Sequence, residues 1–156
     1  MSQFKFLNQF DFIEGSHIKL QIISKIFGND FELPYYWYHI IENKTNQKVG
    51  KISIRIGYNK HSYYNGHIGY EIDELFRGYR YSLQAAKLII DVAKAHEMKF
   101  IYITCTENNK ASQRIIELLG AELIDITEVP KDYFAYYDGI PKHFIYQLRL
   151  DYRGED

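Results

Sequence analysis

A single cysteine, Cys105, excludes an internal disulfide framework and fits a reducing compartment. Proline is nearly as scarce. Pro34 keeps Leu33 out of a helix, and the other two fall inside one Tyr-rich loop, Glu128–Lys142. With a net charge of −1 there is no electrostatic case for nucleic acid or an anionic membrane surface as partner. No apolar run approaches the length of a membrane span, and the opening Met-Ser-Gln-Phe-Lys-Phe has no apolar signal core. The expectation is a soluble, cytoplasmic protein with no membrane partner. Internal repeats, low-complexity tracts and linkers are missing too, so residues 1–156 are expected to form one domain. Two phosphate-binding signatures are also absent, Gly-x-x-x-x-Gly-Lys-Ser/Thr and Gly-x-Gly-x-x-Gly.

What is present is aromatic and alternating. Aromatics make up 17% of the chain, fifteen of them Tyr, which favours strands. Phe4–Glu14 reads as a short strand or a packed tail. His17–Ile23 alternates, with Ile18, Leu20 and Ile22 on one face. Gly28-Asn29-Asp30 is a turn. Tyr35–Glu42 and Lys48–Ile56 are strands joined by the polar turn Asn43–Gln47, the pattern of a hairpin. Gly57–Asn65 reads as a polar loop. His67–Asp73 is the fourth strand, with Ile68, Tyr70 and Ile72 on one face and His67, Gly69, Glu71 and Asp73 on the other. Leu83–His96 carries a wide apolar helical face. Phe100–Cys105 is a continuous apolar strand, and Asn108–Leu119 is a helix closed by Gly120. Ala121–Thr127 and His143–Leu150 are the last strands. The order ββββαβαββ predicts a mixed α/β fold with a right-handed β-α-β unit, antiparallel hairpins on either side of it, and helices on the sheet faces.

The functional centre lies in Gly69–Ser82. A strand tightens there into an Arg/Gly loop that opens onto a helix. Unpartnered N–H groups and the positive end of the helix dipole make an anion site, and Arg77 and Arg80 add charge of the sign a pyrophosphate needs. The loop Arg77-Gly78-Tyr79-Arg80-Tyr81-Ser82 resembles the coenzyme A loop of the GCN5-related N-acetyltransferases, the GNAT superfamily, which reads Gln/Arg-x-x-Gly-x-Gly/Ala. Asn109-Lys110-Ala111-Ser112 and Leu119-Gly120 resemble that superfamily's second helix. The Asn-x-x-Ser form, with Gly-Tyr-x-Ile in the strand before, is most similar to the ribosomal-protein N-acetyltransferase branch. The resemblance covers about residues 48–150. It implies a GNAT-like, mostly antiparallel mixed sheet around a central β-α-β unit.

The resemblance also implies acetyl-CoA as cofactor and an amine-bearing acceptor, either a small molecule or a protein N-terminus. The acceptor amine would attack the thioester directly in a ternary complex. Pantetheine would lie along Tyr70, Glu71 and Ile72, where the strand must splay from Phe100–Cys105. Pyrophosphate would sit on the N–H groups of Gly78, Tyr79, Arg80, Tyr81 and Ser82, beside Arg77. Asn109 is expected to touch the pantetheine amide, to cap its helix, or both. Glu71 and His67 are the candidate general bases, or else a polar pair on the sheet face; His39 and His143 follow them. Ser112 either hydrogen-bonds the leaving thiolate or satisfies backbone in the first helical turn. The superfamily's frequent Tyr acid falls at Ile116. Arg80 replaces a loop Gly, and its guanidinium either compensates by pairing with phosphate or is a surface charge. No metal site is expected.

The N-terminal third departs most from the superfamily. Only about Ser24–Leu33 is available where relatives place one or two helices against the acceptor. Tyr133, Phe134, Tyr136 and Tyr137 form a lid, a tucked loop or a dimer contact, and a homodimer is the default assembly. Beside the enzyme stand two other readings: a non-catalytic acyl-CoA-binding domain on the same fold, and a dimerising structural protein.

Overall fold

Alternation in the first half of the chain builds a meander whose inward residues are mostly even-numbered, with Ile13 and Val49 the odd-numbered exceptions. The computed structural model describes residues 4–151. Its strands are β1 (Phe12–Glu14), β2 (Ile18–Ile26), β3 (Tyr35–Glu42), β4 (Lys48–Arg55) and β5 (Ile68–Ile72), hydrogen-bonded in that order and all antiparallel. Ile18, Leu20, Tyr36, Tyr38, Ile40, Ile52 and Ile54 are buried on one face of this sheet. Helix α2 (Tyr81–Ala95) lies on them through Ala85, Ala86, Ile89, Val92 and Ala93. The small residues let the helix approach closely, while the isoleucines and tyrosines supply most of the apolar area removed from water.

The N-terminal segment is a packed tail and a short strand. It satisfies two buried hydroxyls. The Tyr38 hydroxyl donates to the Phe10 carbonyl at 2.7 Å. The Tyr36 hydroxyl accepts the Leu7 N–H at 2.7 Å and pairs with His96 Nε2 at 2.8 Å. Burial pushes both phenols up from their ordinary pKa.

The second half forms another sheet. Strand β6 (Phe100–Thr106) follows α2, helix α3 (Lys110–Leu119) follows β6, and then come β7 (Glu122–Thr127) and β8 (His143–Arg149). The order is β6-β8-β7, so the last strand slots between the two before it. Ile101, Ile103 and Cys105 face the shared core with Ile116 of α3. Their neighbours Tyr102 and Thr104 face a single helical turn, α1 (Ser62–Asn65), in what the sequence presents as a plain polar loop. Helices therefore lie on both faces, as expected. No helix stands between β2 and β3, in keeping with the short Ser24–Leu33 stretch available there. Among the described residues no helix is long and apolar enough to cross a membrane.

The β-α-β unit is present, but β5 and β6 belong to different ladders. They meet at one residue. His67 N–H donates to the Tyr102 carbonyl at 2.7 Å, while the His67 carbonyl accepts from Arg55 N–H of β4 at 2.8 Å. Beyond that residue the strands part.

Candidate active site

Parting the strands opens a cleft of about 800 Å³, lined on one side by Ile68–Ile72 and on the other by Thr104–Thr106 and the first turn of α3. The pairing of β5 with β4 decides which groups face it. His67 C=O is bonded to Arg55 N–H and Asp73 N–H to Val49 C=O, the latter at 2.9 Å. Backbone groups alternate in direction along a strand. Those of Gly69 and Glu71 therefore run to β4, and those of Ile68, Tyr70 and Ile72 point into the cleft. Among the described residues only the Ile72 carbonyl has a protein partner there, Arg77 Nε at 3.2 Å. Gly50 lets β4 come close enough to hold β5 in place: a Cβ on Gly50 would stand 2.3 Å from the Glu71 carbonyl oxygen.

Arg77 and Ser82 line one end of the cleft. Gly78 has φ +94° and Arg80 has φ 60°, ψ 31°, the left-handed conformation that a loop Gly would take freely. Arg80 holds it at a cost of about 1 kcal/mol. No side chain caps the N-terminus of α2. The side chains of Tyr79 and Tyr81, residues expected to serve a pyrophosphate through their N–H groups, turn elsewhere. They stack on one another at 5.5 Å, and the Tyr81 hydroxyl donates to the Glu42 carboxylate. They face a separate hollow of about 470 Å³ that also involves His17 and Lys44. Of this loop only Arg77 and Ser82 line the cleft itself.

On the opposite wall Asn109 caps α3, its Oδ1 accepting the Ser112 N–H at 3.0 Å. That leaves the Ser112 hydroxyl free for another partner. It meets the Tyr70 hydroxyl at 2.6 Å. Burial raises the Tyr70 phenol, and the Ser112 contact pulls the other way. Ile116, where a Tyr acid would stand, is packed in the core. The hydroxyls beside the cleft thus come from β5 and from the first turn of α3, a pairing that the spacing within either element does not reveal.

His67 is corrected as a candidate base. It is fully buried, its Nδ1 accepts the Tyr102 N–H at 2.9 Å, and its Nε2 lies 2.9 Å from the Gly57 carbonyl. A carbonyl only accepts, so Nε2 carries the proton and neither nitrogen is left for a substrate. Burial lowers its pKa to about 4. The ring takes the Tyr102 N–H at the one point where β5 and β6 meet, and so pins the two strands together there.

Glu71 lines the cleft from the exposed face of β5, opposite Lys51. His143 also lines it. Its Nδ1 donates to the Pro141 carbonyl at 3.2 Å, and Nε2 has no partner among the described residues. His39 lies outside the cleft lining. Cys105 is buried, and its thiol is pushed up to about 11 by desolvation, which makes it a poor nucleophile. The Glu128–Lys142 loop tucks inward: Tyr133 is buried and donates from its hydroxyl to Asn65 Oδ1 at 2.9 Å, while Phe134 and Tyr137 stay exposed. Arg55 and Asn65 also line the cleft, and neither was singled out by motif. Arg55 was legible only as the polar side of an alternating strand.

The family model for the acetyltransferase (GNAT) domain matches residues 14–122, well over half of the chain. No curated protein matches at comparable stringency. A GNAT-family acetyltransferase from Bacillus anthracis is 19% identical over 72% of this chain and 65% of its own, with a TM-score of 0.59. A proposed ribosomal-protein-serine acetyltransferase from Vibrio cholerae is 18% identical over 89% of this chain and 97% of its own, with a TM-score of 0.64. A microcin C7 self-immunity acetyltransferase, solved with acetyl-CoA and AMP, is 20% identical over 74% of this chain and 61% of its own, with a TM-score of 0.56. At these identities the neighbours share the fold. The family match, the split ladder beside β5 and the Arg/Gly loop at the N-terminus of α2 agree, and the chain belongs to the GNAT family of acetyltransferases.

Proposed function

We propose that the chain, acting as a single acetyltransferase domain, transfers the acetyl group of acetyl-CoA to a primary amine within a ternary complex. The observation that carries this reading is the unpaired edge of β5: Tyr70 and Ile72 offer backbone groups to a cleft that ends at Arg77 and the uncapped N-terminus of α2. Pantetheine amides bond to that edge as an added strand does. Pyrophosphate rests on the N–H groups of Gly78–Ser82, with Arg77 and Arg80 supplying the charges. Strain kept at Arg80 supports a role for its guanidinium, because Gly would fit the same backbone without it. Asn109 stands beside the pantetheine path.

The acceptor nitrogen bonds to the acetyl carbon and the carbon–sulfur bond breaks. Glu71 takes the ammonium proton, either directly or through water. A cleft-facing N–H of β5 polarises the thioester carbonyl. The Ser112 hydroxyl, backed by Tyr70, donates to the departing thiolate, which is why Ile116 is no obstacle. A raised Cys105 thiol favours direct attack over an acyl-cysteine intermediate. A small-molecule amine and a protein N-terminus are both acceptors of the right chemistry.

Calorimetry with acetyl-CoA, followed by turnover on a panel of amines, tests this reading. Micromolar binding, about −8 kcal/mol, and a loss of at least about 100-fold in kcat with Glu71→Gln are expected. If His143→Ala abolishes turnover while Glu71→Gln does not, the base is His143. Binding without turnover on any amine leaves a non-catalytic acyl-CoA-binding domain. Absence of binding removes the reading altogether.

A further inference from the structure

The cleft has a second cationic end. Arg55 closes β4 level with His67, and Arg77 follows Ile72, so the two arginines sit roughly 16 Å apart along β5. Arg77 stands at the helix N-terminus and Arg55 does not. The Arg55 Nε is buried without a hydrogen-bond partner, and among the described residues no carboxylate meets the guanidinium. The guanidinium carbon lies 5.5 Å from the centre of the Tyr35 ring, a contact that satisfies none of its N–H groups. Beside it stands Asn65. The Asn65 Oδ1 is occupied by the Tyr133 hydroxyl, so what it offers the cleft is its amide N–H₂. His67, packed behind, is neutral and already bonded, and supplies no counter-charge. A buried arginine N–H and an oriented amide donor, both without acceptors among the described residues, are placed to receive an anion.

We propose that Arg55 and Asn65 form an anion subsite for the acceptor, and that the acceptor is an amine bearing a carboxylate. This rests on the acetyl-transfer reading above. Charge selects carboxylate over phosphate: one guanidinium and one neutral amide balance a single negative charge, and Glu71 already lines the same cleft. The fork geometry of Arg suits a planar carboxylate. Arg55 and Glu71 are four positions apart in register, roughly 13 Å between backbones. One amino acid, or the first residues of a peptide, bridges that span between amine and carboxylate once the two side chains reach inward.

The test compares matched acceptors in two arms. The first sets free amino acids against their carboxamides. The second sets C-terminally amidated peptides beginning Ser-Asp against those beginning Ser-Asn. In at least one arm the carboxylate member should lead by tenfold or more in kcat/KM, through KM, and the arm identifies the source of the carboxylate. Arg55→Gln should bring that ratio near one while leaving the acetyl-CoA dissociation constant unchanged, and Arg55→Lys should restore part of it. Asn65→Asp keeps the Tyr133 bond, adds a like charge and should also erase the preference. Equal use of both members by the unaltered protein, or a ratio that survives Arg55→Gln, overturns the subsite and leaves acetyl transfer standing. Failure to bind acetyl-CoA overturns both.

Discussion

The two edges of β5 are made by the same five residues and do opposite things. The edge toward β4 is zipped along its length, held close by Gly50. The edge toward β6 is bonded at His67 alone and then opens. Amino-acid preference for strand does not separate them, since both edges share one stretch of sequence. What separates them is the neighbour each one meets: β4 keeps its register along the whole strand, whereas β6 is held at His67, whose ring also takes the Tyr102 N–H, and then diverges. The difference teaches that an enzyme cleft in a sheet needs a fixed junction as well as a gap, and the junction here is pinned by a histidine with no free nitrogen.

His67→Ala attacks that pin. The Tyr102 N–H and the Gly57 carbonyl would both be buried without partners, at about 1–3 kcal/mol each. Urea unfolding should show a loss of about 3 kcal/mol or more. Acid should act through the same ring. The folded pKa of about 4 lies below the ordinary 6.5, so the unfolded chain binds a proton that the folded one refuses. Stability is fully present above pH 6.5 and declines as pH falls toward 4, by about 3 kcal/mol at the limit. His67→Gln offers an acceptor and a donor without titrating, and should flatten this slope in unfolding measured from pH 7 to 4.

The closed edge is tested by Gly50→Ala, whose Cβ collides with the Glu71 carbonyl; a loss of about 2 kcal/mol is expected in the same unfolding assay. Tyr70→Phe leaves both edges intact and removes the partner of Ser112. Turnover should fall about tenfold, equivalent to about 1.4 kcal/mol, with acetyl-CoA affinity unchanged in calorimetry. Arg80→Gly has the smallest effect and divides in sign. Relief of the left-handed strain should raise stability by about 1 kcal/mol, while acetyl-CoA binds several-fold more weakly.

Much of this was legible in the sequence because period-two and helical patterns are local. Tyr35–Glu42, Lys48–Arg55 and Lys110–Leu119 stand where alternation and the Asn109 and Gly120 caps put them. The Arg80 conflict was legible as well, because a left-handed loop position is a demand on one residue. What depended on distant partners was not. Alternation puts His67 on the same face as Glu71, and only its bonds to Gly57 and Tyr102 separate a pin from a base. Tyr81 turns away from the cleft because Glu42, far off in sequence, accepts its hydroxyl. The insertion of β8 between β6 and β7 is a choice among edges that strand patterns do not encode. Ser62–Asn65 is a single turn, too short for a helical period to register. Arg55 carries no motif and becomes visible only as an unpartnered group in a cleft wall.

The most direct measurement is amide hydrogen exchange along β5, with and without acetyl-CoA. In the free protein Gly69 and Glu71 should exchange slowly, and Tyr70 and Ile72 quickly. Acetyl-CoA should slow Tyr70 and Ile72 and leave the other two as they were. Protection of Tyr70 and Ile72 before any ligand is added, or rates at these two amides that acetyl-CoA does not change, would contradict the open edge as the cofactor's seat.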